Sequence, residues 1–198
     1  MKPSMFATAL VAGALAFSGT QAQAFTNVAS QGIATQSTTA FDGYAGFAID
    51  GNVNGNYGYG AGSVTHTGWE TNASWTLALP QAYAVDSINL FNRTDCCADR
   101  ILGVTLSLFK GNQLAWTSGA ITNFTPNIVG DNISGMTFDL PGTVVGNRLV
   151  IGRTSVGYLS LAEVQVMAAP VPEAETYAML MAGLGLLGVV ARRRKQGA

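Results

Sequence analysis

Between its two ends the chain alternates apolar and polar residues. Ser74-Trp75-Thr76-Leu77-Ala78-Leu79 alternates and stops at Pro80, which predicts a half-buried strand closed by a residue with no backbone N–H. Residues 85–91 alternate again. Val85, Ser87, Asn89 and Phe91 are predicted on one face, with Asp86, Ile88, Leu90 and Asn92 on the other. A strand over 103–109 is predicted to turn at Gly111-Asn112 into Leu114-Ala115-Trp116. Further strands are predicted over 136–140, 148–152 and 159–167. No helical period of useful length interrupts them. Short strands at this spacing predict an all-β sandwich.

The ends read differently. Lys2, an apolar run over 5–17 and Ala22-Gln23-Ala24 have the form of a secretory signal, so residues 1–24 are expected to be a signal helix cleaved before Phe25. At the other end, Val171-Pro172-Glu173-Ala174 precedes an apolar, Gly-containing stretch over 177–191 and then Arg192-Arg193-Arg194-Lys195. About 20 apolar residues is the usual transmembrane length, so this helix is short for a span, and its basic end is expected to stay cytoplasmic. The tail resembles the PEP-CTERM sorting signal of Gram-negative bacteria, although Val171 stands where a first Pro is common. That resemblance implies processing by an exosortase-type membrane protease. It also implies transient tethering to the inner membrane through 177–191, then release to the cell surface or matrix, often beside exopolysaccharide.

The predicted domains are therefore a signal peptide over 1–24, a β-sandwich over 25–169 and a sorting tail over 170–198. The middle segment is long enough for one domain. It holds nine acidic and five basic residues, a balance that argues against nucleic acid as partner, since that binding wants a basic stripe. The two cysteines, Cys96 and Cys97, are adjacent. A trans peptide sets neighbouring Cα atoms about 3.8 Å apart, below the usual disulfide range of about 4.4 Å or more. A bond between them could not staple the fold, but it would make a compact apolar knuckle in an exported protein. The segment 42–67 carries Gly43, Gly46, Gly51, Gly55, Gly58, Gly60 and Gly62 among asparagines. A loop of that length in a compact domain is usually functional or disordered, and Tyr44, Phe47, Tyr57 and Tyr59 argue against disorder.

The chemistry concentrates in Arg93-Thr94-Asp95-Cys96-Cys97-Ala98-Asp99-Arg100. Arg93 and Asp95, two apart on an extended segment, share a face, and Asp95 can hold the Arg93 guanidinium. Arg100 returns after the cysteines, and His66 arrives from the Gly-rich segment. Two guanidinium forks and an imidazole suit a ligand that presents hydroxyl and ring oxygens.

His66, 26 residues, Arg93-x-Asp95, four residues and Arg100 together resemble the F-type lectin (fucolectin) motif, and Cys96-Cys97 is found in many members. The resemblance runs from Asn27-Val28-Ala29 to Leu161-Ala162-Glu163-Val164. It implies an eight-stranded jelly-roll β-sandwich of the galactose-binding-domain-like kind. His66, Arg93 and Arg100 would bind L-fucose, Asp95 would orient the arginines, and a Cys96–Cys97 disulfide would contact the sugar ring. The partner would be a fucosylated glycan or exopolysaccharide. It further implies a structural Ca²⁺ held by Asp50, Asn52, Ser63 and Glu163 with the carbonyls of Phe47 and Ala162, a set of hard oxygens that suits calcium. Many members place cysteines at the positions of Val64 and Ala162, so an apolar contact is expected to replace that bridge.

Two other readings compete. A matrix protein with the fold but no sugar affinity would not depend on Arg93. A glycosidase wants two carboxylates across a cleft, but Asp95 lies between arginines that would keep it ionised and occupied. No Ser-His-Asp spacing, zinc cluster or phosphate loop is evident, so the expectation is a binding protein and not an enzyme.

Overall fold

A computed structural model of the chain describes residues 24–57, 62–171 and 174–196. The signal-segment expectation, Gly58, Tyr59, Gly60 and the Pro172-Glu173 pair lie outside these residues, apart from Ala24. Eight antiparallel strands are present among them: β1 (Thr26–Asn27), β2 (Ile33–Gln36), β3 (Ser74–Asn92), β4 (Val104–Lys110), β5 (Gln113–Ala120), β6 (Ile128–Gly130), β7 (Ile133–Arg153) and β8 (Leu161–Pro170). Their order is β1-β8-β3-β7-β4-β5, with β2 also on β3 and β6 also on β7. The sheet does not close into a barrel.

Two long strands, β3 and β7, make this a sandwich. The first part of β3 pairs with β2 and with the last part of β7, from Ser74↔Gly152 to Ala78↔Arg148. The second part pairs with the first part of β7 and with β8. β4 joins β7 only over 148–153. Each long strand thus passes from one layer to the other. Trp75, Leu77, Ile88, Leu90, Leu106, Leu108, Leu149, Ile151 and Val164 are fully buried between the layers.

The strand predicted to end at Pro80 continues through it. Pairing between β3 and β7 lapses between Ala78 and Tyr83, so Pro80 sits where no ladder donor is required. Likewise, 136–140 and 148–152 are one strand, bent at Pro141-Gly142, with Gly142 at φ 69°. The predicted faces of 85–91 are also corrected. Val85 pairs with Ala168 and Ser87 with Met167, leaving Asp86 as the surplus residue of a β-bulge. Core-facing positions change phase there, from Tyr83 and Val85 to Ile88 and Leu90. Phe91 turns into a second small cluster with Val64 and Ala162, the apolar contact expected in place of a disulfide. The Gly111-Asn112 turn forms as predicted, with Lys110 opposite Gln113.

One helix, α1 (Ala174–Gln196), follows β8. Met179, Leu180, Met181, Leu184, Leu186, Leu187 and Val189 are all exposed on it. Among the described residues no helix is long and apolar enough to cross a membrane. Three glycines dilute its apolar surface, so the span expected over 177–191 finds no support in the helix itself.

Candidate functional site

The motif residues meet at one end of the sandwich, where β3 releases Arg93 and the chain leads into β8. The segment carrying His66 is tied to that second lead-in. Thr65 N–H donates to the Leu161 carbonyl (2.8 Å) and Thr67 N–H to the Leu159 carbonyl (3.0 Å). The Thr65 and Thr67 hydroxyls accept from Leu161 and Leu159 N–H. His66 N–H donates to the Gly43 carbonyl at 2.9 Å. A Cβ on Gly43 would lie 2.5 Å from the His66 Cβ, so only glycine permits this approach.

His66 is 3% exposed. Its Nδ1 is 2.7 Å from the Thr67 carbonyl, which can only accept, so Nδ1 carries the proton. Its Nε2 is 3.0 Å from Arg100 Nη1, which can only donate, so Nε2 offers a lone pair. Burial lowers the His66 pKa, the Arg100 and Arg93 charges lower it further, and the Thr67 hydrogen bond opposes them. The imidazole is therefore held neutral between two cations.

Arg93 forms a side-on pair with Asp95: Nε to Oδ1 and Nη2 to Oδ2, both 2.8 Å. Asp95 Oδ1 also accepts from Tyr57 N–H at 3.1 Å. These bonds, above all those from Arg93, hold the Asp95 carboxyl at about 2. The pair leaves Nη1 of Arg93 for a ligand. Each guanidinium lies over an aromatic ring: Arg93 Cζ is 4.4 Å from the Tyr57 centroid, and Arg100 Cζ is 4.6 Å from that of Tyr158. Such stacking fixes a planar cation without consuming its donors. Cys96 and Cys97 are joined by a disulfide, with Cα atoms 3.8 Å apart. Cys97 takes the left-handed conformation, φ 58°, which reverses the chain so that Arg100 faces His66.

These groups line an open pocket of about 240 Å³ with Phe41, Tyr57, His66, Arg93, Cys96, Arg100 and Tyr158. Asp95 supports the pocket from behind Arg93. Cys97 falls outside this lining and faces a neighbouring hollow. Phe41 and Tyr158 escaped the sequence reading. Their rings stand edge-on to His66, each 4.9 Å from its centroid. Phe41 has φ 52°, a left-handed conformation that costs a bulky residue about 1–2 kcal/mol. Its carbonyl accepts from the Tyr57 hydroxyl, which helps to hold the strained turn. An aromatic beside Asp42-Gly43 in a polar loop was the available signal.

The residues expected to hold calcium gather in part. Glu163 is fully buried on β8. Its Oε1 accepts from Gly51 N–H at 3.2 Å, which brings the Asp50-Gly51 turn to it. Its Oε2 has no hydrogen-bond partner among the described residues. Burial first and the Asp50 charge second push the Glu163 pKa up to about 7. An ionised carboxylate so placed, without a counter-charge, is costly. Asp50 Oδ1 accepts from Asn52 N–H, and the Ser63 hydroxyl donates to the Asn56 carbonyl. Among the described residues no cluster of three or more His, Cys, Asp or Glu is present. A cation here would thus be held mostly by neutral oxygens around two carboxylates. The orphaned Glu163 oxygen fits that arrangement.

Of the three tryptophans, Trp75 is core and Trp116 packs against the core. Trp69 is 65% exposed.

Residues 47–143 match the NedA-like, galactose-binding domain family, and residues 170–195 match the PEP-CTERM protein-sorting motif. The fucolectin of Anguilla anguilla is 35% identical over 147 residues, which cover 71% of this chain and 89% of the eel protein. A fucose binding module of Streptococcus pneumoniae superposes with a TM-score of 0.64 at 28% identity, over 73% of this chain and 99% of the module. A fucolectin from Morone saxatilis serum gives 0.65 at 33% identity, over 76% of this chain and 51% of the bass protein. These relatives are lectins or binding modules, not enzymes. With over a third of its aligned residues shared across most of the eel protein, the chain belongs to the fucolectin family.

Proposed function

We propose that this chain is an exported lectin for L-fucose-type sugars on a glycan or exopolysaccharide. The observation that carries the reading is the His66–Arg100 contact beside the Arg93–Asp95 pair in one aromatic-walled pocket. A sugar hydroxyl both donates and accepts. It can donate to His66 Nε2 while accepting from an arginine N–H, replacing the contact those side chains make with each other. Arg93 Nη1 and the remaining Arg100 donors serve further oxygens, and charge-assisted bonds of this kind are the stronger class. The Cys96 sulfur and the Phe41 ring offer apolar surface to the face of the sugar. No carboxylate in this pocket is free to act as acid or base, since Asp95 is held by Arg93, which favours binding over hydrolysis.

Calcium belongs to the same proposal. Asp50, Asn52, Ser63 and Glu163 would hold it with the carbonyls of Phe47 and Ala162. The ion would supply the positive charge that Glu163 lacks and fix the Gly-rich loop that delivers His66. The signal peptide over 1–24 and the tail over 170–198 would bracket the lectin domain over 25–169. Export by the Sec route, tethering in the inner membrane of a Gram-negative cell and cleavage by an exosortase-type protease would follow. The PEP-CTERM match supports that route.

A glycan array on the released domain tests the proposal. Retention of L-fucosylated glycans, abolished by Arg100→Ala, is expected. A blank array from a folded domain would leave the matrix-protein reading.

A further inference from the structure

Beside the pocket, on the far side of Arg100 and Tyr158, lies a second hollow of about 330 Å³. Arg100 and Tyr158 line both, so the two adjoin across a shared wall. Trp69 forms the outer side. Its ring stands edge-on to Tyr158, centroids 5.0 Å apart at 70°, so the two rings make a corner.

Three features set this hollow apart from ordinary surface. First, Trp69 is 65% exposed and Val156 is 49% exposed, which leaves a pair of apolar side chains in water at one place. Second, the backbone on both sides of Trp69 is pinned. Gly68 N–H donates to the Thr38 hydroxyl at 2.7 Å, and the Glu70 carboxylate accepts from Ser37 and Thr38, both at 2.6 Å. Glu70 and Gly157 exchange backbone hydrogen bonds. That bridge ties the Trp69 turn to the turn carrying Val156 and Tyr158, so the corner is set before any ligand arrives. Third, Asp99 lines the hollow, is exposed, and makes no ion pair among the described residues.

An indole face accepts the apolar C–H face of a pyranose, and a carboxylate accepts from its hydroxyls. We infer that this hollow is a second sugar subsite, which takes the pyranose joined to the fucose-type residue, with Trp69 as its platform and Asp99 as its hydroxyl acceptor. The inference rests on the sugar-binding reading of the His66 pocket. It makes the preferred ligand at least a disaccharide and makes linkage, not only the terminal sugar, a determinant of selection.

Calorimetry on the released domain tests this with methyl α-L-fucopyranoside and fucosylated disaccharides of each linkage. The wild type is expected to bind at least one disaccharide about five- to tenfold more tightly than the methyl glycoside. Trp69→Ala should erase that gain and leave methyl fucoside affinity unchanged, while Trp69→Phe keeps part of it. Val156→Arg, which fills the hollow from its other side, should erase the same gain. Disaccharides that bind no better than methyl fucoside, or a Trp69→Ala loss equal for all ligands, would overturn the subsite alone. A folded wild type that binds no fucoside overturns the pocket reading and the subsite with it.

Discussion

Arg100 Nη1 and His66 Nε2 lie 3.0 Å apart, and the Thr67 carbonyl on the opposite side of the imidazole sets the tautomer that allows it. Protonation of Nε2 would turn that bond into a clash of two cations. The folded protein disfavours His66 protonation relative to the ordinary value of 6.5, through burial first and the arginines after. Its contribution is therefore complete above pH 6.5 and is lost as pH falls through the lowered value. Fucoside affinity, measured by calorimetry across pH 4.5 to 8, should be flat above about pH 6.5. It should fall by up to about tenfold per unit in acid. Affinity that stays flat to pH 4.5 would contradict this role for His66.

Asp95 takes two of the five Arg93 N–H groups and aims the rest. Asp95→Asn keeps the shape but removes the charge and one acceptor. Affinity should fall about tenfold, the scale of one charge-assisted bond. Circular dichroism should remain unchanged. Because the carboxyl titrates near 2, this pair holds at every pH above about 4 and is lost only as pH falls toward 2. It cannot be the source of an acid transition near pH 6.

Glu163 places a carboxylate oxygen in the interior without a hydrogen-bond partner among the described residues. Millimolar CaCl₂ should raise the melting temperature by about 5–10 °C if it exceeds the dissociation constant about a hundredfold. EDTA should reverse the rise. Glu163→Gln should abolish the calcium response without lowering the stability of the calcium-free domain, because it removes a buried charge. An identical melting curve with and without EDTA would refute the metal assignment.

Removal of residues 171–198 should leave the melting temperature within about 1–2 °C, since surface changes that bury nothing are close to neutral. All the described large apolar side chains of α1 are exposed, so the sandwich loses no packing with them. Differential scanning calorimetry of the two forms decides it. A drop of ten degrees would show that the tail belongs to the fold.

The chemistry was more legible in the sequence than the geometry. His66, Arg93, Asp95, Cys96 and Arg100 stand out by residue type and spacing, and they do converge. The aromatic walls did not stand out. Phe41 and Tyr158 sit in turns whose course is set by long-range hydrogen bonds, and one-dimensional patterning carries no trace of those. Strand existence was readable where side chains alternate, as over 74–79 and 103–109. It was not readable for β1, β2 and β6, which have 2, 4 and 3 residues, too few to show a period. Strand continuity through Pro80 was hidden because the ladder gap that tolerates a proline depends on the partner strand.

The surplus residue at Asp86 has a consequence for how this domain changes over evolutionary time. The bulge already separates the pairing of Val85 from that of Ser87 on β8. A one-residue deletion there would make the pairing with β8 continuous from Val85 to Phe91 and leave every partner from Ser87 to Asn92 where it is. The same deletion at Asn89 would turn Leu90 out of the core and swing Arg93, together with Asp95, away from His66. Length changes in this strand should therefore accumulate at Asp86, which acts as slack that lets lineages drift without disturbing the recognition end.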